Sequence, residues 1–174
     1  AGGLLAGSPM TLGITIQDND SCTAGTKGVG VDLNNNLMPV PTTTCFVSQL
    51  DGMEAPMPSI LSETNSHRLA IRVDVGPEHQ GMPADLLILG GLRKPGEENF
   101  SFYARSSTGW ILDNSGELPT PVSRMDALPD SLELLIHDGP LAGFPGEFIV
   151  YGGYQLDDGT LVFNGAGPYI WNVE

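Results

Sequence analysis

Short apolar runs that alternate every second residue, broken by Gly- and Pro-rich clusters, restrict this chain to one kind of architecture. In RLAIRVDV, Leu69, Ile71, Val73 and Val75 share one face of an extended strand, with Arg72 and Asp74 opposite. FSFYAR sets Phe100, Phe102 and Ala104 against Ser101, Tyr103 and Arg105, and SLELLIHDG alternates Leu132, Leu134 and Ile136. ADLLILGGL is continuously apolar and suits a central strand covered on both sides. The strongest local signal is FIVYGGYQL-DDGT-LVFNG, two strands around an Asp158-Gly159 turn that supplies the positive φ angles of a tight hairpin. Gly152-Gly153 inside its first strand predicts a bulge or a close backbone approach.

Helical periodicity is almost missing. SRMDALPDSL predicts one helical turn before Pro129, and Met53–Asn65, with Pro56 and Pro58, reads as a connection. Gly (23) and Pro (14) exceed a fifth of the chain, which fits many short strands joined by turns. The expected fold is all-β: an antiparallel β-sandwich, Ig-like or jelly-roll-like, preceded by an extended N-terminal strand over 1–17. Residues 18–174 form a single domain, its N-terminal part, to about 64, spanned by a disulfide.

Charge narrows the partners. A net charge of −14, from seven Lys+Arg against 21 Asp+Glu, excludes nucleic acid, whose phosphates need clustered cations. It disfavours anionic membrane surfaces for the same reason. No apolar run reaches the roughly 18 residues of a membrane span, so no membrane insertion is expected. Solubility accounts for the acidity; the alternative is a calcium ion in the oxygen-rich loops QDNDS and DLNNN, with Asp18, Asp20, Asp32 and Asn34 as ligands, and no other cofactor is implied. Neither loop has EF-hand spacing, and Asn/Asp clusters are ordinary turn formers.

Two cysteines, Cys22 and Cys45, predict a disulfide, against two buried thiols. A chain beginning at Ala1 rather than Met reads as a mature, exported one, hence secreted or at an extracellular surface. Asn19-Asp-Ser and Asn99-Phe-Ser match the glycosylation acceptor pattern.

From about Arg68 to Asn164 the chain resembles a β-sandwich domain of uncharacterised secreted bacterial surface proteins. The resemblance is carried by RLAIRVDVGPEHQGMPADLLILGGL, STGWIL and PGEFIVYGGYQLDDGTLVFN. It implies that the last segment closes the domain as a hairpin and is silent on activity.

Catalytic signatures are missing: no GxSxG elbow, HExxH, P-loop or GxGxxG is present. His67, His79 and His137 are scattered; His79, in GPEHQG, and His137, in LIHDGP, read as turn and strand-end residues bonded to local backbone. Glu97-Glu98 and Asp157-Asp158 fall in turns and read as solvated. Trp110 and Trp171 are either core aromatics or sugar-stacking platforms.

The opening stretch AGGLLAGSPMTLGITIQ has no charged residue before Asp18. Leu12, Ile14 and Ile16 share one face of an extended strand, and Leu4 and Leu5 continue the apolar surface. Burying these five side chains is worth on the order of 7–15 kcal/mol before ordering costs. By analogy with the donor strands of secreted filament subunits, they form a subunit interface. The sequence therefore leads to a non-enzymatic subunit of an extracellular, pilus-like filament or sheath whose partner is itself. The alternatives are a carbohydrate- or protein-binding module, a secreted hydrolase whose site carries no recognisable motif, and pairing of this strand within its own sandwich.

Overall fold

The computed structural model describes Cys22, residues 24–55, 58–113 and 115–174, and these are strand, turn and loop. The N-terminal strand with Leu4, Leu5, Leu12, Ile14 and Ile16, the calcium candidates Asp18 and Asp20, and Asn19 lie outside the described residues.

Among the described residues fifteen strands follow one another: β1 (Thr26–Lys27), β2 (Val29–Asp32), β3 (Met38–Val40), β4 (Cys45–Leu50), β5 (Met53–Glu54), β6 (Ser59–Leu61), β7 (Ser66–Asp74) and β8 (Ala84–Arg93), then β9 (Ser101–Ser106), β10 (Gly109–Leu112), β11 (Ser123–Met125), β12 (Ser131–Pro140), β13 (Gly146–Leu156), β14 (Thr160–Phe163) and β15 (Tyr169–Val173). They form two sheets. The smaller runs β1-β4-β7-β12, with β5 also on β4; the larger runs β10-β9-β8-β13-β14-β2-β3, with β11 on β8, and β15 joining β13 to β6. All pairs are antiparallel except β15 with β6. The chain is an all-β sandwich, as the alternation predicted.

The alternating faces become the core. Leu69, Ile71 and Val73 of β7 are fully buried, as are Ile88 of β8, Ile136 of β12, Val150 and Tyr154 of β13, and Tyr169 of β15. Burial of each such aliphatic side chain contributes roughly 1.5–3 kcal/mol. β8 is central, pairing along its length with β13 on one side and with β9 and β11 on the other.

The β13–β14 hairpin forms with Tyr154 opposite Val162. Only Gly159, at φ +91°, takes the positive angle; Asp158 does not, contrary to the sequence expectation. Asp158 instead caps the turn: its Oδ1 accepts from Thr160 N at 2.8 Å, and this bond holds its carboxyl below the usual range. Gly152-Gly153 marks close approach rather than a bulge, because pairing with β8 runs through both without a shift. A Cβ at Gly152 would come within 2.9 Å of Ile71 Cδ1 across the sandwich, and one at Gly153 within 2.1 Å of Val162 O. Here β13 changes partner from β15 to β14, and buried Asn164 fills the gap by accepting from Gly152 N at 2.9 Å and donating to Val150 O at 3.2 Å.

Two local expectations are corrected. SRMDALPDSL makes no helical turn: Ser123–Met125 pairs with Ala84–Leu86, because the ladder satisfies backbone groups that a single helical turn would leave open. Met53–Asn65 is more than a connection. It supplies β5, and beyond the two prolines β6, which runs parallel to β15. Pro58 sits just before β6, where its missing N–H costs no ladder bond.

Candidate functional site: the two sides of the smaller sheet

The β4 side is closed by covalent and polar contacts. Cys22 and Cys45 are joined in a disulfide with Cα atoms 5.7 Å apart. β1 and β5 pair with β4, and two tyrosines of the larger sheet reach across to this side. Tyr169 OH donates to Gln49 O at 2.8 Å, and Tyr154 OH lies 2.7 Å from Thr44 Oγ1 and 2.8 Å from His79 Nδ1. Burial pushes the Tyr154 hydroxyl up to about 12 and the Tyr169 hydroxyl higher still, so both stay neutral and hydrogen-bonding.

Glu78 completes this closure from the turn after β7. Its Oε1 accepts from Thr43 N at 2.6 Å and Thr42 Oγ1 at 3.0 Å, and its Oε2 from Thr43 Oγ1 at 2.7 Å. Partial desolvation raises the carboxyl, but the threonine donors outweigh it and bring it down to about 2. His79 is thus a buried residue bridging to the larger sheet as well as a turn histidine: its backbone makes the local bonds, N–H to Gly76 O and carbonyl from Met82 N, while its ring meets Tyr154.

The β12 side is different. β12 is ten residues long and, among the described residues, pairs only with β7. Register shifts between Leu135 and His137, and the strand ends at Pro140, features that limit uncontrolled pairing at an edge. Leu132, Leu134 and Ile136 lie on the inner face, while Leu135 is exposed on the outer one. Arg68 of β7 pairs bidentately with Glu133 on the same surface.

Beneath the second half of β12 lies an apolar pocket of about 130 Å³. Its floor is Leu92, Ile136, Leu141, Val150 and Trp171; its mouth is formed by half-buried Tyr103, Trp110 and His137 and by exposed Phe144. Phe148 stacks on Trp171 with centroids 5.1 Å apart. Gly90 makes the pocket possible, since a Cβ there would stand 2.9 Å from the Trp110 ring. The buried Trp171 Nε1 has no hydrogen-bond partner among the described residues.

Both tryptophans line the pocket: Trp171 is buried in the core at its floor, and half-buried Trp110 packs against the core cluster from the mouth. His137 Nε2 lies 3.1 Å from the carbonyls of Gly139 and Pro140, a local backbone contact as expected. His67 meets Asp51 at 3.2 Å, so the three histidines occupy separate surroundings. Asp32 Oδ1 accepts from Asn34 N at 2.9 Å, and Asn34 Nδ2 donates to Asp158 O at 2.8 Å, which uses both residues to set the loop on the hairpin. Among the described residues, no group of three or more His, Cys, Asp or Glu is placed to hold a metal ion. Asp157 is not simply solvated: it pairs with Arg124 at 2.8 Å.

The tyrosine bridges, Glu78, Asn164 and the pocket aromatics Tyr103, Phe144 and Phe148 were not legible as a site in the sequence. The one local signal was LAGFPGEF, which places large apolar residues in a turn cluster. No family model matches the chain, and no curated protein matches it. No helix among the described residues is long and apolar enough to cross a membrane.

Proposed function

We propose that this chain is a non-enzymatic extracellular structural protein, a subunit of a surface filament or sheath assembled by N-terminal strand donation. The observation that carries the reading is the β12 edge, ten residues long, paired on one side among the described residues and bordered by an apolar opening between the sheets. Strand addition needs an unpaired ladder for main-chain bonds and pockets for alternate side chains. The uncharged stretch before Asp18 has the matching alternation in Leu12, Ile14 and Ile16. A contact from the start of one copy to the edge of the next does not close on itself, so it builds a filament. The disulfide suits an oxidising, extracellular setting.

Deleting residues 1–10 and substituting Ile14→Asp tests this. The variant is expected to keep its β circular-dichroism spectrum and remain monomeric in sedimentation while the parent chain polymerises. Unchanged polymerisation, or unfolding of the variant, would overturn the reading. A second reading, a carbohydrate- or protein-binding module, draws on the accessible aromatic mouth of Tyr103, Trp110 and Phe144. Glycan-array binding by the monomer would favour it.

A further inference from the structure

We infer that the acceptor is the edge of β12 left unpaired among the described residues, together with the aromatic pocket beneath it, and that its occupant is Thr11–Gln17 of a second copy; this rests on the strand-donation reading above. Length is the first support. Seven extended residues span about 23 Å and the ten of β12 about 33 Å, so the donated strand fits within the edge.

Side-chain chemistry is the second. β12 turns Leu132, Leu134 and Ile136 inward, and a strand added beside it with Leu12, Ile14 and Ile16 inward continues the apolar layer. Its Thr11, Thr15 and Gln17 then face solvent. A cavity of about 130 Å³ is on the scale of one branched aliphatic side chain, so one of the three anchors in it between Trp110 and Ile136.

Charge is the third. The edge carries Glu133 and Asp138 beside the cation Arg68, on a chain of net charge −14, so an acidic segment would approach it against repulsion. The stretch before Asp18 brings no charge to be repelled or desolvated. The chain's own tail is the competitor: Cys45 stands opposite Asp74, which stands opposite Ser131, so the Cys22 anchor belongs to the Ser131 end of β12.

The test must therefore tell copies apart. A photo-reactive residue replaces Thr15 in the full chain, isotopically light and heavy copies are mixed before assembly, and adducts are mapped by mass spectrometry. Adducts on residues 131–140 in light–heavy pairs are expected. In a parallel assay, Trp110→Ala is expected to raise the critical concentration for assembly about tenfold while leaving the monomer folded. Adducts elsewhere, on Leu161 or Phe163 of the larger sheet's outer face for instance, with assembly intact, would overturn the acceptor but leave strand donation standing. Adducts on 131–140 within single copies of a chain that stays monomeric would overturn donation to a second copy. Unaltered assembly of Trp110→Ala would remove the pocket from the acceptor.

Discussion

The two sides of the smaller sheet solve the same problem in opposite ways. At β4 every device ties the edge down: a disulfide, two short flanking strands, two tyrosine bridges and the Glu78 carboxylate on its threonines. At β12 a long strand with an exposed leucine borders an aromatic pocket; among the described residues its side-chain ties run to β7, through Arg68–Glu133 and Ser131–Asp74, and a register shift and a terminal proline limit its edge. The contrast teaches where stability and where interaction reside. Polar bridges between sheets are directional and worth most when buried, so they rigidify the side that holds them. Apolar surface is non-directional and suits an exchangeable contact.

The largest expected effect falls on the closed side. Replacing Cys22 and Cys45 by serine removes a link between residues 23 apart in sequence and is expected to cost about 3 kcal/mol, read by urea denaturation. A loss below about 1 kcal/mol would show that the β4 side owes little to its covalent tie.

A smaller effect is expected at Glu78. Its folded carboxyl is lowered from 4.5 to about 2, so its contribution is fully present above the unfolded value and is lost as pH falls through that range. Because the residue is solvent-accessible, the contribution is on the order of 1 kcal/mol. Glu78→Gln is expected to flatten the stability profile between pH 4.5 and 2 in thermal melts. A profile parallel to that of the parent chain would contradict the assignment.

The smallest effect on folding belongs to the open side. Leu135→Lys, on the exposed outer face of β12, is expected to change stability by less than about 0.5 kcal/mol. A loss of 2 kcal/mol or more would mean that Leu135 is covered within the single chain, and the contrast between the two edges would fail.

By itself, the sequence determined the long alternating strands and their buried faces, because period-2 alternation and turn residues are local properties. Leu69, Ile71 and Val73 were legible in this way, as was the β13–β14 hairpin. With only two cysteines it also limited any disulfide to one pairing, and the structure decided for the bond over two thiols. Tertiary structure alone decided which strands are neighbours. Ser123–Met125 became a strand because β8 had backbone groups to pair with it, and Ser59–Leu61 because β15 did. It alone brought Thr44, His79 and Tyr154 together, residues whose separations along the chain carry no pattern. The aromatic pocket is of the same kind: Trp110, Ile136 and Trp171 come from three different strands, and a cavity between sheets is set by how those sheets stack, which no local period encodes.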